Sequence, residues 1–414
     1  MNIRYILGAS DGAPIAQVLS VLRSQPAWRP FDERAVAFVR RFSQKLLTSA
    51  GIRRHPELAA LGHWFRGANL QTLISRYVLE SPEQLKLGRG LAFHLAPSNV
   101  DSVFMYSWLL SLLSGNVNLV RVSQKSSAPL DFLVDALAQT LAEDVGAPVR
   151  ARIVLLTYPH DEQLTRTISE SCLIRVVWGG DATVRALRTI PLRPTAIEVC
   201  FPDRFSACAI RASAVLEADD ASLRQMAAAF YNDAFWFAQQ ACSSPRLVAW
   251  IGDESTIDTA AERFWSALHV ELARRQPENS EAMNMARVAA SFEYAAAELA
   301  RPAMSGEFRS AHPMRLRLEA VLDESAKALH CGNGLFLETR FPRLVELAPQ
   351  LSDKEQTLAV YGFTREELVD LALVLPPRAV DRFAKFGEAL SFAPVWDGQD
   401  LITTFSRNVL LPTS

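Results

Sequence analysis

One of the five cysteines stands in a setting suited to chemistry. Gln239-Gln240-Ala241-Cys242-Ser243-Ser244-Pro245 is a polar run between an expected helix and an expected strand. A thiol there can face a cleft with backbone amides beside it, and both conditions suit a thiolate nucleophile. Unpaired cysteines are more often buried structural residues. The polar neighbours Gln240, Ser243 and Ser244 weaken that alternative. A second feature is Ala96-Pro97-Ser98-Asn99, just after an expected strand. The Asn99 amide there could donate to a developing oxyanion. An ordinary Asx turn or helix N-cap accounts for the same residues. A third is Gly115-Asn116-Val117-Asn118-Leu119-Val120-Arg121-Val122-Ser123, a strand that ends with a cation and a hydroxyl. Arg121 and Ser123 suit a nucleotide ribose or phosphate, or are simply surface residues. A fourth is Trp178-Gly179-Gly180-Asp181 before a helix. Glycines there let a phosphate-bearing cofactor approach a helix N-terminus, although no full GxGxxG is present.

Other combinations carry less. His330-Cys331-Gly332-Asn333-Gly334 reads as turn chemistry, because neighbours in sequence do not face each other. Cys200 and Cys208 lack the spacing and the clustered histidines of a zinc site. His94 sits inside an expected strand and is read as a satisfied core histidine.

The elements that must position these residues can be read from periodicity. The first ninety residues look mostly helical, over Phe31–Ala50, Pro56–Phe65 and Asn69–Leu79. From Gly90 the chain alternates. Strands are expected at 90–96, 117–122, 152–157, 173–178 and 195–201, with helices at 103–113, 129–142, 161–170 and 182–189 between them. Such alternation implies a parallel, doubly wound sheet, with ligands beyond the carboxyl ends of its strands. A second α/β unit begins near Ser206, with a helix at 223–237, a strand at 246–251 and a helix at 256–275. Residues 276–315 read as helical, and short strands and a helix at 364–371 come after Gly334. The expected division is a helical region 1–87, a nucleotide-binding domain 88–205, a catalytic domain 206–377 and a C-terminal segment 378–414.

Composition sets the outer limits. Of 414 residues, 49% are hydrophobic and 21% charged, which argues against disorder. Forty-three basic against 45 acidic residues leave no global handle for nucleic acid. The most apolar stretch, Val103–Leu113, has 11 residues, whereas a membrane span needs about 20. Asp11 and Gly12 interrupt the N-terminal stretch, so no secretory leader is expected. An odd, scattered cysteine set is no disulfide framework, and a reducing cytoplasm is the expected location.

Taken in order, the four features resemble the aldehyde dehydrogenase superfamily, and most closely its fatty acyl-CoA reductase branch, typified by the LuxC reductase of bacterial bioluminescence. The similarity extends over nearly the whole chain. His55-Pro56-Glu57-Leu58, Leu61–Arg66, Phe93–Val100, Ser114-Gly115-Asn116, Gln240–Pro245, Gln356-Thr357-Leu358, Tyr361-Gly362, Trp396-Asp397-Gly398 and Arg407 carry it. The resemblance implies an aldehyde dehydrogenase-like α/β fold, with a Rossmann-type cofactor domain and a second α/β catalytic domain. It places Cys242 as the nucleophile, and Asn99 with the Cys242 N–H as the oxyanion hole. Arg121 falls where relatives hold the adenosine ribose; with Ser123 and Lys125 nearby, it leans toward the 2′-phosphate of NADPH. Gly179 and Gly180 fall at the pyrophosphate, and Glu346 is a candidate for the nicotinamide ribose. Glu198 lies near the position of the glutamate that activates water in hydrolytic relatives. Val199-Cys200-Phe201-Pro202 comes after it instead of Leu-Gly-Gly-Lys, so proton handling and a plain strand residue both remain open.

The activity implied is NADPH-dependent reduction of a fatty acyl thioester, on coenzyme A or a carrier protein, to the aldehyde. An acyl-transfer or acyl-activating partner enzyme and a homodimer or homotetramer go with the resemblance. Two alternatives stay open: an NAD(P)-linked oxidation of aldehyde to acid, and a non-catalytic scaffold. Phe230, Phe235, Trp236 and Phe237 suit a long acyl chain or plain core packing equally well.

Overall fold

The computed structural model describes residues 3–78, 81–96, 101–125, 127–302 and 312–412. The chain divides into two compact units, Met1–Pro202 with Phe392–Ser414, and Asp203–Ser391. The C-terminal segment expected from Arg378 is thus shared, its first part continuing the second unit and its remainder the first.

The first unit contains β1 (Arg4–Leu7), β2 (Gln84–Gly88), β3 (Leu91–Leu95), β4 (Val117–Arg121), β5 (Ile153–Thr157), β6 (Ile174–Trp178) and β7 (Ile197–Phe201). All but β2 form one sheet in the order β1-β5-β4-β3-β6-β7. β3 to β7 run parallel, and β1 adds an antiparallel edge on β5. Every residue of β3, β5 and β6 is buried, as expected for strands covered on both faces. The chain winds outward from β3 through β4 to β5, then returns to β6 and β7. The winding therefore reverses between β3 and β6, where doubly wound sheets open their ligand crevice.

The helix Asp101–Leu113 comes after β3, and it is fully buried from Phe104 to Leu113. A helix apolar on all sides has to be enclosed. Gly115 ends its turn into β4 with φ +93°, and a Cβ there would lie 2.1 Å from the Trp28 carbonyl oxygen, so no other residue fits. Asn116 ties three segments together. Its Oδ1 accepts from Gly90 N–H, and its Nδ2 donates to the carbonyls of Ser111 and Phe405. The strand Ser406–Leu410 then pairs antiparallel with β2.

The second unit contains β8 (Phe205–Arg211), β9 (Pro245–Ile251), β10 (Ala300–Pro302), β11 (Met314–Leu318), β12 (Leu335–Phe341), β13 (Glu355–Tyr361) and β14 (Arg382–Lys385). Their order is β10-β11-β12-β9-β8-β13-β14, parallel except for the β10 edge. The helices Asp220–Phe235 and Glu254–Arg275 pack on one face, where Phe230 and Phe235 lie in the core. Residues 276–315, expected to be helical, contain the helix Glu281–Ala296 but also β10 and the start of β11. Among the described residues, no helix is long and apolar enough to cross a membrane.

Candidate active site

The helix Asp220–Phe235 runs into the loop that carries Cys242, and the loop feeds β9. The loop first closes the helix end. Gln239 N–H donates to Ala234 O at 2.9 Å, and Ala238 N–H to Phe235 O at 3.2 Å. Ala238 and Gln239 adopt positive φ (49° and 61°) to make this turn. Such a reversal satisfies helix-end carbonyls that would otherwise lack donors.

Side chains fix the rest of the loop. Gln239 is fully buried; its Nε2 donates to the carbonyls of Pro245 and Leu335, and its Oε1 accepts from Gly334 N–H. Gln240 Nε2 donates to Cys331 O at 3.0 Å. Gly332 beside it sits at φ +69°, a conformation that a residue with a Cβ adopts only with strain. Ser206 Oγ donates to Cys242 O at 2.7 Å and accepts from Thr357 N–H. Ser244 Oγ donates to Asp233 O at 2.7 Å. Ser206, Pro245, Leu335 and Thr357 all lie at or near the amino ends of their parallel strands. Cys242 is therefore held at the amino edge of this sheet.

Cys242 is half-buried, and none of the five cysteines forms a disulfide. Burial raises the other four thiols above their ordinary value. Cys172 is pushed up to about 12 and Cys200 to about 11; Cys208 is raised well above it, and Cys331 also rises. Thiols raised by burial in this way are inert. His330 is enclosed by backbone: Gly332 N–H donates to its Nδ1, and its Nε2 lies 3.1 Å from Leu335 O. Burial drives it well below its usual range, so it is a neutral turn residue. His94 is likewise a core histidine, buried beside Asn118 Oδ1 at 3.0 Å and depressed to about 4 by burial.

The candidate nucleotide residues lie in the first unit. Arg121 ends β4 with its guanidinium 4.7 Å over the Tyr158 ring and Nη2 donating to Tyr158 O. Its Nε is buried without a hydrogen-bond partner, an orphaned donor that a ligand oxygen would satisfy. Ser123 Oγ accepts from Lys125 N–H at 3.1 Å. Ser123 and Lys125 border a cavity of about 200 Å³ that Tyr5 and Leu130 also line. Gly179 and Gly180 end β6 and open the helix Asp181–Arg188, which has no side-chain cap. Beside them Trp178 and Phe201 stack with ring centroids 3.8 Å apart. An orphaned cation donor, a hydroxyl, an exposed lysine and an uncapped helix start fit a phosphate-bearing nucleotide.

Two candidates stand apart, and one lies beyond description. Glu198 is the second residue of β7, with both oxygens in ion pairs: Oε1 to Arg175 at 2.6 Å and Oε2 to Arg188 at 3.2 Å. Those bonds favour the strand role over proton handling. Glu346 is half-buried in the 3₁₀ turn Leu344–Gln350, paired with Arg343 at 2.8 Å. Asn99 lies outside the described residues.

Sequence reading quoted Gln239 within the motif without seeing its role, and it missed Ser206 and Arg246. Gln239 and Ser206 act through partners far away in sequence. Arg246 did carry a signal, as a cation opening the otherwise apolar strand Pro245–Ile251.

These features define a class. The fold is that of aldehyde dehydrogenases. The chain superposes on the NAD-dependent aldehyde dehydrogenase of Sinorhizobium meliloti with TM-score 0.66 at 12% identity, covering 96% of this chain and 86% of that one. A Brucella melitensis biovar abortus aldehyde dehydrogenase gives TM-score 0.64 at 14% identity, covering 96% and 87%. An NAD-dependent benzaldehyde dehydrogenase of Corynebacterium glutamicum gives 0.62 at 12%, covering 99% and 94%. No curated protein matches the sequence. Residues 34–408 match the acyl-CoA reductase (LuxC) family, and the chain belongs to that family of oxidoreductases.

Proposed function

We propose that the protein reduces a fatty acyl thioester to the aldehyde, with NADPH as reductant and Cys242 as the covalent carrier. The observation that carries this reading is the contrast among the cysteines. Cys242 sits in a polar loop held by Ser206 of β8 and by the loop's own side chains bonding to neighbouring backbone, while burial raises the other four thiols. The Cys242 thiolate attacks the acyl carbonyl carbon and forms an S–C bond. The carrier's C–S bond breaks, and its thiolate leaves to take a proton. An acyl-Cys242 remains, with the acyl donor on coenzyme A or a carrier protein. The Cys242 N–H stabilises the oxyanion of the addition step. Asn99, assigned from the sequence, adds a second donor; losing one such donor typically costs about 10²–10³ in rate.

Arg121, Ser123 and Lys125 would hold the ribose and 2′-phosphate, with Gly179 and Gly180 at the pyrophosphate. Arg121 offers its orphaned Nε and Lys125 an exposed charge. NADPH would supply the hydride that reduces the acyl group, after which the Cys242 S–C bond breaks, releasing the aldehyde and restoring the thiolate. Excluding water matters here, because hydrolysis of acyl-Cys242 would release a free acid. The two arginines on Glu198 support this direction, since a carboxylate so engaged is poorly placed to activate water. Exposed Trp236 and half-buried Phe237, just before the cysteine loop, offer apolar surface to an acyl chain; Phe230 and Phe235 do not, because they are core.

The test is intact-protein mass after incubation with acyl-CoAs of graded length, without NADPH, for wild type and Cys242→Ala. The expected result is a gain equal to the acyl group, absent in the variant and discharged as aldehyde when NADPH is added. Adduct that persists with NADPH, or that forms in the variant, refutes the reading.

A further inference from the structure

Arg246 lies at the amino end of β9, four residues after Cys242, and folds back over the loop, its Nη2 donating to Gln239 O at 3.3 Å. The guanidinium lies 5.7 Å from the centre of the Phe205 ring. Among the described residues it forms no ion pair with a carboxylate. Arg246 is half-buried, and taking a guanidinium partly out of water with no carboxylate bonded to it is costly. Burial accordingly lowers its proton affinity, and the largest opposing influence is Cys242, ahead of Tyr294, Cys331 and Asp203.

The backbone leading to Cys242 bears on the charge it can carry. The loop leaves the carboxyl end of the helix Asp220–Phe235, and helix carboxyl ends favour positive charge and oppose negative charge. Nucleophilic cysteines commonly gain thiolate character from a helix amino end. This loop has the opposite polarity nearby, so the compensation has to come from a side chain.

Of the other charged and polar groups nearby, the buried Arg287 is turned to Asn333 O, Asn279 Oδ1 and Asn284 Oδ1. Tyr294, from the helix Glu281–Ala296, donates its hydroxyl to Ala326 O, and burial pushes its phenol up. His330 is neutral and saturated by backbone groups. Cys331 is raised by burial. Lys327, whose Nζ lies 5.8 Å from the Phe205 ring centre, is bound to Glu355 at 2.6 Å. Asp203 carries the wrong sign.

We propose that Arg246 is the positioning residue that keeps Cys242 a thiolate in the resting protein, each charge compensating the burial of the other. The inference rests on Cys242 as nucleophile, and it makes the thiolate a property of the folded loop before substrate arrives.

Alkylation by iodoacetamide reads this directly, because only the thiolate displaces iodide to form the S–C bond. The rate at Cys242, followed by mass spectrometry of its peptide between pH 5 and 10, is compared for wild type, Arg246→Lys and Arg246→Gln. A free cysteine titrates near about 8.5. The wild-type midpoint is expected at least one unit below that. Arg246→Gln should move it up by at least one unit and slow alkylation about tenfold at pH 7. Arg246→Lys should keep most of the effect. A wild-type midpoint at or above that of free cysteine overturns the proposal, even if Arg246→Gln does not fold. So do superimposable profiles for wild type and a folded Arg246→Gln. Failure of the reductase reading looks different: no acyl adduct forms, while the alkylation midpoint still depends on Arg246.

Discussion

The two candidate sites sit at opposite ends of their sheets. The candidate nucleotide residues Arg121, Gly179 and Gly180 lie at the carboxyl ends of β4 and β6, and the two glycines lead straight into a helix start. Cys242 lies at the amino edge of the second sheet, where the chain arrives from a helix end. The first setting provides backbone N–H groups and favours anions without further help. The second presents carbonyls and has to be built from side chains. This explains why Gln239, Gln240, Ser206 and Ser244 all bond to backbone around the cysteine. By contrast, Arg121 retains an unsatisfied donor, and Lys125 is exposed. On the proposed reading, a covalent carrier has to be fixed, whereas a cofactor that comes and goes would be met by groups left open.

The comparison breaks most sharply at the nucleophile. Cys242→Ala should lower acyl-CoA reduction by at least about 10³-fold while leaving NADPH binding unchanged, read by steady-state rates and by nucleotide fluorescence. Gln239→Ala removes three buried hydrogen bonds and leaves their backbone partners unmet. It should cost about 3 kcal/mol in denaturant unfolding and slow Cys242 acylation. An unchanged midpoint would mean that the loop is not held as described. Arg121→Ala should weaken NADPH binding about tenfold and leave Cys242 acylation alone. If acylation fell equally, the division of labour between the two sites would be wrong.

Asp233 gives a finer test of the scaffold under the cysteine loop. Its carboxylate accepts from Gly387 and Ala389 N–H, and burial raises it from 3.8 to about 7 despite those donors. A carboxyl raised on folding gives its full contribution below about pH 4 and loses it as pH rises to about 7. Asp233→Asn should therefore flatten the fall in stability between those two values, measured by urea unfolding across pH. The smallest expected effect on activity belongs to Glu198→Gln. It should leave the reduction rate unchanged but lower stability, because it takes the charge partner from nearly buried Arg175. A collapse in rate would restore Glu198 as a proton-handling residue.

Much of the first unit was legible because its signals are local. The strand expected at 117–122 is observed at Val117–Arg121, and the helix expected at 129–142 at Ala128–Ala142. Apolar runs bounded by glycine and proline need no distant partner to be recognised. The edges were not legible. β1 pairs with β5, and Ser406–Leu410 with β2, across separations that leave no trace in either segment. β11, Met-Arg-Leu-Arg-Leu, does alternate with period two, yet its first two residues fall in the stretch 276–315 expected to be helical. Short edge strands take their conformation from neighbours more than from propensity.

The same division holds for the site. Residue types and order alone singled out Cys242, Arg121 and the Gly179-Gly180 turn, because a thiol in a polar run and glycines before a helix are chemical statements in themselves. The tertiary structure alone decided which groups fix them. Gln239 meets Leu335 from 96 residues away, Ser206 meets Cys242 from 36, and Glu198 is claimed by Arg175 from a neighbouring strand. A side chain's type says which bonds it can make; only the fold settles which partners come within reach, and burial then determines what those bonds are worth.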